Sequence, residues 1–435
     1  MAGAELRSKA RKTSSTERVA VVLDVGTRKM CCLVARLLPP SRLHDTHALS
    51  SRVEILGHGY QLSRGVVGGL VADMEAAERT IRSVVAQAER AADVTVNEVY
   101  VTAAFGPLTS ESFTASVDLP AGSVTSYDMH RVMKAAREYA ARSGKAVLHA
   151  APFGYTLGYE SGITDPFGMI GDCLKVDVHA VSIDSLPLRN LRHCIERSHL
   201  SLAGVLPAAF ISGRAVVTDA EAHGGVTCLD MGAGTTGISV FTGGNLVFCD
   251  SVSMGGNHIT NDIAEAFQLS LAEAERLKTL HTSVLSGPTD HSAIRVAGED
   301  EYAELSSGII SKADLSDVAR IRLEMIFAEV RDRLRASGVA PMSGQRLVLT
   351  GGSSELIGAA ELAAQIFGKQ PRLGRPKPTS GLPKQESNPA FSAPLGLLVH
   401  LLEDEHGIGV GVTPEIIATS QGYLARVGQW LRESF

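Results

Sequence analysis

One short pattern occurs twice in this chain, and it limits the possible folds more than any other feature. Val22-Leu23-Asp24-Val25-Gly26-Thr27 returns as Cys228-Leu229-Asp230-Met231-Gly232-Ala233-Gly234-Thr235. In each copy an apolar run ends in Asp and a Gly turn follows. A second apolar run then leads away, Cys31 to Leu37 in one copy and Gly237 to Phe241 in the other. Each copy therefore reads as a β-hairpin opening a domain. The expected consequence is two similar lobes that face one another. With 435 residues, 44% of them hydrophobic, the chain is long enough to give each lobe its own core.

The remaining pattern agrees with this reading. The apolar runs Val19 to Val25, Val99 to Ala104, Leu174 to Ile183, Val226 to Met231 and Leu347 to Thr350 read as buried strands. Between them, Met74 to Ala92, Asp128 to Arg142, Leu188 to Ser198, Asn261 to Phe267 and Asp314 to Ser337 carry apolar residues at helical spacing. Strands alternating with helices imply an α/β fold. Pro- and Gly-rich sequence from Pro371 to Pro389 reads as a surface connection. A formal net charge of -6 argues against nucleic acid as a partner. Met1 to Arg18 carries Arg7, Lys9, Arg11, Lys12 and Arg18 but lacks the apolar core of a signal peptide, so it is expected to be a disordered cytosolic tail. Cys31, Cys32, Cys173, Cys194, Cys228 and Cys249 form no CxxC pair and read as reduced core thiols.

A turn built from Gly, Ala and Thr lets several backbone N–H groups converge on an anion. Two such turns make a clamp, with Gly26 and Thr27 and nearby Lys29 on one side and Gly232, Gly234, Thr235 and Thr236 on the other. Asp24 and Asp230 would repel phosphates unless a divalent cation lay between them, which implies magnesium held largely through waters. Either turn alone could be an ordinary one. A third element adds weight: Leu347 to Thr350, then Gly351-Gly352-Ser353-Ser354 and an expected helix from Glu355 to Phe367, offers bare backbone on which a flat base could lie.

These motifs resemble the actin, Hsp70 and hexokinase superfamily of ATP-binding folds and, within it, the FtsA family of bacterial division proteins, over roughly Val19 to Phe435. The resemblance implies an actin-like two-lobed α/β fold with an FtsA-type inserted subdomain and a C-terminal amphipathic helix, binding ATP and Mg2+. It divides the chain into a basic tail at 1–18, subdomain 1A at 19–96, the inserted subdomain 1C at 97–168 and the rest of 1A at 169–205. Subdomain 2A follows at 206–256, 2B at 257–344 and the rest of 2A at 345–385. The chain returns to 1A at 386–412, and a linker at 413–420 precedes the helix at 421–435. The segment from Ser253 to Ala264 is similar to the family's nucleotide-facing loop and helix, which brings Gly255 and Gly256 to the site, and Glu275 and Lys278 would approach ribose and base. Ala233 stands in the second turn where the family commonly has Gly. Val147 to Pro152 and Gly162 to Met169 resemble a signature at the end of the insertion. By the same resemblance the insertion contacts neighbouring subunits in a polymer.

Hydrolysis needs a polar group that orients water, and many relatives carry Glu or Gln just before the Pro of the connecting helix. Here Leu206 precedes Pro207, so at most slow turnover is expected. At the other end of the chain, Tyr423, Leu424, Val427, Trp430, Leu431 and Phe435 share one face of an expected helix, with Arg426, Gln429, Arg432 and Glu433 opposite. No uninterrupted apolar run approaches the roughly 20 residues of a spanning helix. The expectation is therefore a peripheral protein on the cytoplasmic face of the bacterial inner membrane at the division site. The resemblance supplies the partners: membrane lipids, other copies of the chain, the C-terminal peptide of the tubulin-like protein FtsZ through subdomain 2B with Arg320 as a contact, and later divisome membrane proteins. An actin-like pilus-assembly protein and a small-molecule kinase share the ATP clamp and stand as alternatives. An Hsp70-type chaperone would need a peptide-binding domain after the second lobe.

Overall fold

A computed structural model describes residues 18–38, 52–119, 122–142, 144–285, 292–296 and 309–403. The proposed terminal helix at 421–435 and the basic residues before Arg18 lie outside these. The first lobe contains β1 (Arg18–Val25), β2 (Lys29–Leu37), β3 (Val53–Leu62), the short hairpin β4 (Val66–Val67) and β5 (Leu70–Val71), α1 (Met74–Ala92) and β6 (Glu98–Ala103). Asp73 caps α1 by accepting from the Glu75 and Ala76 amides, which satisfies donors the helix cannot use itself. An inserted unit follows, made of β7 (Thr109–Asp118), α2 (Ser126–Ala140), β8 (Lys145–Leu157), β9 (Glu160–Ile163) and β10 (Cys173–Asp184). The chain then returns through α3 (Ser185–Arg197) and β11 (Ser201–Pro207), and α4 (Ala208–Val216) and α5 (Asp219–Gly224) lead to the second lobe.

That lobe contains β12 (Val226–Met231), β13 (Thr236–Thr242), β14 (Asn245–Val252), α6 (Gly256–Phe267), α7 (Leu271–His281), β15 (Ala293–Arg295) and β16 (Ile309–Ser311). It continues with α8 (Lys312–Ala336), β17 (Arg346–Thr350), α9 (Ala359–Phe367) and β18 (Gln370–Leu373), and α10 (Ser392–Glu403) packs back on α4 and the first lobe. The repeat seen in the sequence becomes a repeat of architecture. One sheet has the order β3-β2-β1-β6-β11 and the other β14-β13-β12-β17-β18. In both, three antiparallel strands are followed by two parallel ones. The motif Asp therefore stands near the end of the central strand of each sheet, at the carboxyl edge where α/β sheets bind ligands.

Two expected boundaries move. β6 was assigned to the insertion at 97–168, but it pairs in parallel with β1, Val22 opposite Tyr100, and so belongs to the first lobe. β10 was assigned to the lobe, but it is the central strand of the inserted sheet, between β7 and β8 in the order β7-β10-β8-β9. An apolar strand reads the same in either sheet, and only its partners decide. Likewise, the expected surface connection from Pro371 begins inside β18, and Ser380 forms a bridge to Glu54 of β3.

The core placement expected of the cysteines is found for five of the six; Cys173 is half-buried, and none is in a disulfide. No group of three or more metal-ligating side chains occurs among the described residues.

Candidate functional site

The cleft between the lobes holds a cavity of about 440 Å³. Its walls include Asp24, Gly26, Thr27 and Lys29 from the first hairpin and Asp230, Gly232, Ala233, Gly234 and Thr235 from the second. Gly256, Glu275 and Lys278 line a third side, and Gly351, Gly352 and Ser353 a fourth. Thr236 and Gly255 do not reach the cavity. Thr236 lies buried in β13 with its hydroxyl donating to the Met254 carbonyl at 2.8 Å. Gly255 packs under the second turn, where a Cβ would lie 2.5 Å from the Gly232 carbonyl oxygen.

The hairpins meet at the floor of the cleft. A side chain on Gly234 would lie 2.5 Å from Thr27 Oγ1 and 3.0 Å from the Gly68 Cα, so this contact between the two lobes needs glycine. Gly69 N–H donates to Thr27 Oγ1 at 3.2 Å and braces the first turn from below. Several amides that the sequence offered to a ligand are already used. Gly26 N–H closes its own turn on the Lys29 carbonyl at 3.2 Å, and Gly232 N–H closes on Thr235 at 2.9 Å. The Gly256 and Asn257 amides, at the start of α6, donate to the Gly232 and Ala233 carbonyls at 3.0 and 2.8 Å. Ser353 Oγ also donates to Gly232, at 3.0 Å. The second turn is thus fixed from three directions before any ligand arrives.

Charge at the site is arranged in pairs. Burial pushes the Asp24 carboxyl up to about 7; Lys29 lowers it and Asp230 raises it further. Burial pushes Asp230 up to about 6 against the lowering effect of a hydrogen bond from Ser212, whose hydroxyl donates at 2.7 Å. Burial lowers the Lys29 ammonium, which donates to the Ala390 carbonyl at 2.8 Å and lies 3.2 Å from the centroid of the Phe391 ring. Two desolvated carboxylates fit a divalent cation, because a cation would restore to both the charge that burial removes. Two protein carboxylates leave most of the coordination sphere to waters and ligand oxygens, as magnesium prefers. Glu275 is held ionised against burial by Lys278 at 2.7 Å and Thr260 at 2.6 Å, while Lys278 also donates to the Gly256 carbonyl at 3.1 Å.

The sequence reading missed the segment Pro389 and Ala390, which lines the cavity and ties two of its walls. Gly351 N–H donates to the Pro389 carbonyl at 3.1 Å, and Lys29 takes the next one. The signal available was Asn388 ahead of Pro389, a capping residue before a helix start, for Asn388 Oδ1 accepts the Ala390 amide at 2.9 Å.

Leu206 is fully buried at the end of β11, in a core cluster that joins residues of both lobes. The neighbouring position that faces the cleft is Ala208, which also walls an adjoining chamber of about 30 Å³ shared with Asp230 and Thr235. That space is large enough to hold a water molecule. Leu206→Glu is therefore expected to cost on the order of 3–5 kcal/mol of stability by burying an unpaired charge, and not to raise turnover. Ala208→Gln, which places an amide beside the chamber, is expected to raise ATP turnover by about tenfold or more. Steady-state phosphate release and urea unfolding of both variants test this. A faster Leu206→Glu enzyme that unfolds as the parent does would reverse the assignment.

Arg320 lies on α8, its guanidinium shared with Asp317 at 3.0 Å and Glu324 at 3.1 Å. It is not among the residues that line the cleft, and its guanidinium keeps further N–H donors exposed to solvent.

Comparison with known proteins agrees with the geometry. The family model "Cell division protein FtsA" matches residues 227–396, and the model for the SHS2 domain inserted in FtsA matches 106–182. The latter range agrees with the inserted sheet as observed. The cell division protein FtsA of Agrobacterium fabrum is 39% identical over 428 residues, covering 97% of this chain and 96% of the relative. FtsA of Escherichia coli K12 is 29% identical over 436 residues, covering 97% and 99%. Among solved structures, a chain of the PilM-PilN type IV pilus biogenesis complex superposes with a TM-score of 0.62 at 16% identity, covering 88% of this chain and 98% of that one. MreB 5 of Spiroplasma citri, bound to AMPPNP, gives 0.51 at 14% identity, covering 90% and 98%. The solved structures show an actin-like two-lobed α/β fold, and the full-length similarity to the curated relatives shows that the chain belongs to the FtsA family of cell division proteins.

Proposed function

We propose that the chain binds ATP with magnesium between its lobes and polymerises on the cytoplasmic face of the bacterial inner membrane at the division site. Residues 421–435 hold it there as an interfacial helix. Through subdomain 2B, with Arg320 as a contact, it tethers filaments by the FtsZ C-terminal peptide, and it helps recruit later divisome membrane proteins. The observation that carries the nucleotide reading is the floor of the cleft, where two glycine-tight hairpins meet, with Asp24 buried and Asp230 half-buried at their ends. Among the described residues no helix is long and apolar enough to cross a membrane. Membership of the FtsA family favours this reading over the kinase and pilus-assembly alternatives.

The carboxylates give the nucleotide reading a pH signature. Binding a cation requires both to be ionised, so affinity must rise as protons leave. With Asp24 near 7, about 1% of that carboxyl is ionised at pH 5 and about 90% at pH 8, so Asp24 alone contributes up to roughly a hundredfold across this range. The sign for the ligand-free protein is opposite. A carboxyl raised above its unfolded value stabilises the fold below pH 4 and loses that contribution as pH rises towards 7. Calorimetry with Mg2+ and ATP from pH 5 to 8 is expected to show tightening binding, with a shallower slope for Asp24→Asn. Comparison with that variant removes the nucleotide's own titration. No binding by the soluble protein at millimolar ATP and pH 8 would overturn the nucleotide reading.

A further inference from the structure

Three cationic side chains line the cleft cavity among the described residues: Arg28, Lys29 and Lys278. Two of them are engaged. Lys278 spends its three N–H donors on the Gly256 carbonyl at 3.1 Å, Thr260 Oγ1 at 2.8 Å and Glu275 at 2.7 Å. Lys29 donates to the Ala390 carbonyl and lies over the Phe391 ring. Arg28 is different. It belongs to the turn between β1 and β2, it is exposed, and its guanidinium has no hydrogen bond or ion pair among the described residues. Its backbone is nevertheless fixed, since the Arg28 carbonyl accepts the Ser63 amide at 2.9 Å. The cavity wall therefore holds one cation whose donors are all unspent.

Without it a phosphate chain would meet too little positive charge. A divalent cation between Asp24 and Asp230 would be matched by those two carboxylates, so the charge of the phosphates would remain. The Gly26, Gly232, Gly256 and Asn257 amides are spent within and beside the turns. Nor do the other carboxylates of the wall claim Arg28. Glu275 already holds Lys278 and Thr260, and Glu355 is paired with Arg375 at 3.0 Å. Arg28 nonetheless acts on α7 of the opposite lobe. Burial raises the Glu275 carboxyl, while Lys278, Thr260 and Arg28 together bring it below its ordinary value. Burial likewise lowers the Lys278 ammonium, opposed by Glu275 and reinforced by Arg28. The guanidinium thus lies on the cavity side of its turn, within electrostatic reach of the far wall.

We infer that Arg28 binds the phosphate chain of the nucleotide, closing over it from the first lobe and supplying the cation that the engaged lysines do not. This rests on the nucleotide reading of the cleft. A planar guanidinium offers two parallel N–H bonds to one phosphate group, which an ammonium cannot. The turn that carries it is tied at both ends, Gly26 N–H to the Lys29 carbonyl and Ser63 N–H to that of Arg28, so closing the side chain orders little backbone. The contact forms at the exposed mouth of the cleft, where water and salt screen it, and its contribution is accordingly moderate.

The test measures ATP affinity of the full chain in excess Mg2+, at low and high salt, for the parent, Arg28→Gln, Arg28→Lys and Arg28→Glu. Urea unfolding accompanies it and is expected to be the same for all four, since the Arg28 side chain is exposed and touches no partner that folding depends on. Arg28→Gln is expected to weaken ATP binding about tenfold, the worth of a charge-assisted contact reduced by exposure. Arg28→Glu, which sets a like charge against the phosphates, is expected to weaken it on the order of a hundredfold. Arg28→Lys keeps the charge without the fork and is expected to fall between parent and Arg28→Gln. Raising the salt is expected to weaken the parent and Arg28→Lys more than Arg28→Gln, because that variant has one ionic contact fewer to screen. Affinity within threefold of the parent for both Arg28→Gln and Arg28→Glu would overturn the inference. So would a loss in Arg28→Gln that Arg28→Lys shares in full and that leaves the salt dependence unchanged, because the contact would then not be ionic. The parent judges the reading beneath: a parent that binds no ATP sinks the nucleotide assignment itself, whereas a parent that binds beside indifferent variants sinks the role of Arg28 alone.

Discussion

Gly351→Ala is expected to abolish measurable nucleotide binding and to destabilise the protein. Gly351 adopts φ +81° and ψ 159°, a region open essentially to glycine alone. A Cβ there would lie 2.4 Å from Asp230 Oδ1 and 2.6 Å from the Met231 carbonyl oxygen, neither of which can yield without moving the second hairpin. Backbone strain and the clash together are expected to cost roughly 3 kcal/mol or more. Because the displaced carboxylate is one of the proposed cation ligands, ATP affinity should fall at least a hundredfold. Gly368→Ala is the control. Its φ of +62° is also left-handed, but a Cβ there meets nothing within 4 Å, so it should cost about 1 kcal/mol and leave binding unchanged. Urea unfolding and calorimetry of both variants decide the matter. Nucleotide affinity within threefold of the parent for Gly351→Ala would remove the fourth wall from the site.

Trp430→Glu is expected to abolish vesicle binding and localisation while leaving ATP binding intact. Trp430 is the sole Trp of the sequence, and on a helix it shares a face with Tyr423, Leu424, Val427, Leu431 and Phe435. So short a helix is marginal in water, and a lipid surface would induce it by burying that face. Exchanging a buried large apolar side chain for a charge removes its contribution of about 1.5–3 kcal/mol and adds a desolvation cost, so affinity should drop on the order of a hundredfold. Polymerisation would amplify the difference by presenting many tails together. Co-sedimentation of the parent, Trp430→Glu and the truncation ending at Ser420, with Trp430 fluorescence as a local report, tests it. If the truncated protein pellets with neutral lipid as well as the parent does, the apolar anchor is not in 421–435.

What the sequence determined by itself was local or repeated. The two Asp-Gly-Thr hairpins, the Gly-Gly turn after β17 and the alternation of strands with helices all follow from the backbone preferences and apolar spacing of neighbouring residues, which do not depend on where the chain goes next. Thirteen of the fifteen residues expected at the nucleotide site line the cleft, most of them in turns whose side of the sheet was already set by a strand, whereas Gly256 lies on α6 and Glu275 and Lys278 on α7. What only the tertiary structure decided were pairings between distant residues. Gly26 and Gly232 spend their amides within the turns, Gly255 braces from below, and Lys29 is drawn to Ala390, 361 positions away. β6 and β10 exchanged their expected sheets, and Leu206 turned into the core while Ala208 met the cleft. A strand's composition specifies that it must be buried, but the neighbour that buries it is selected by packing over the whole lobe, where many partners of similar apolarity compete.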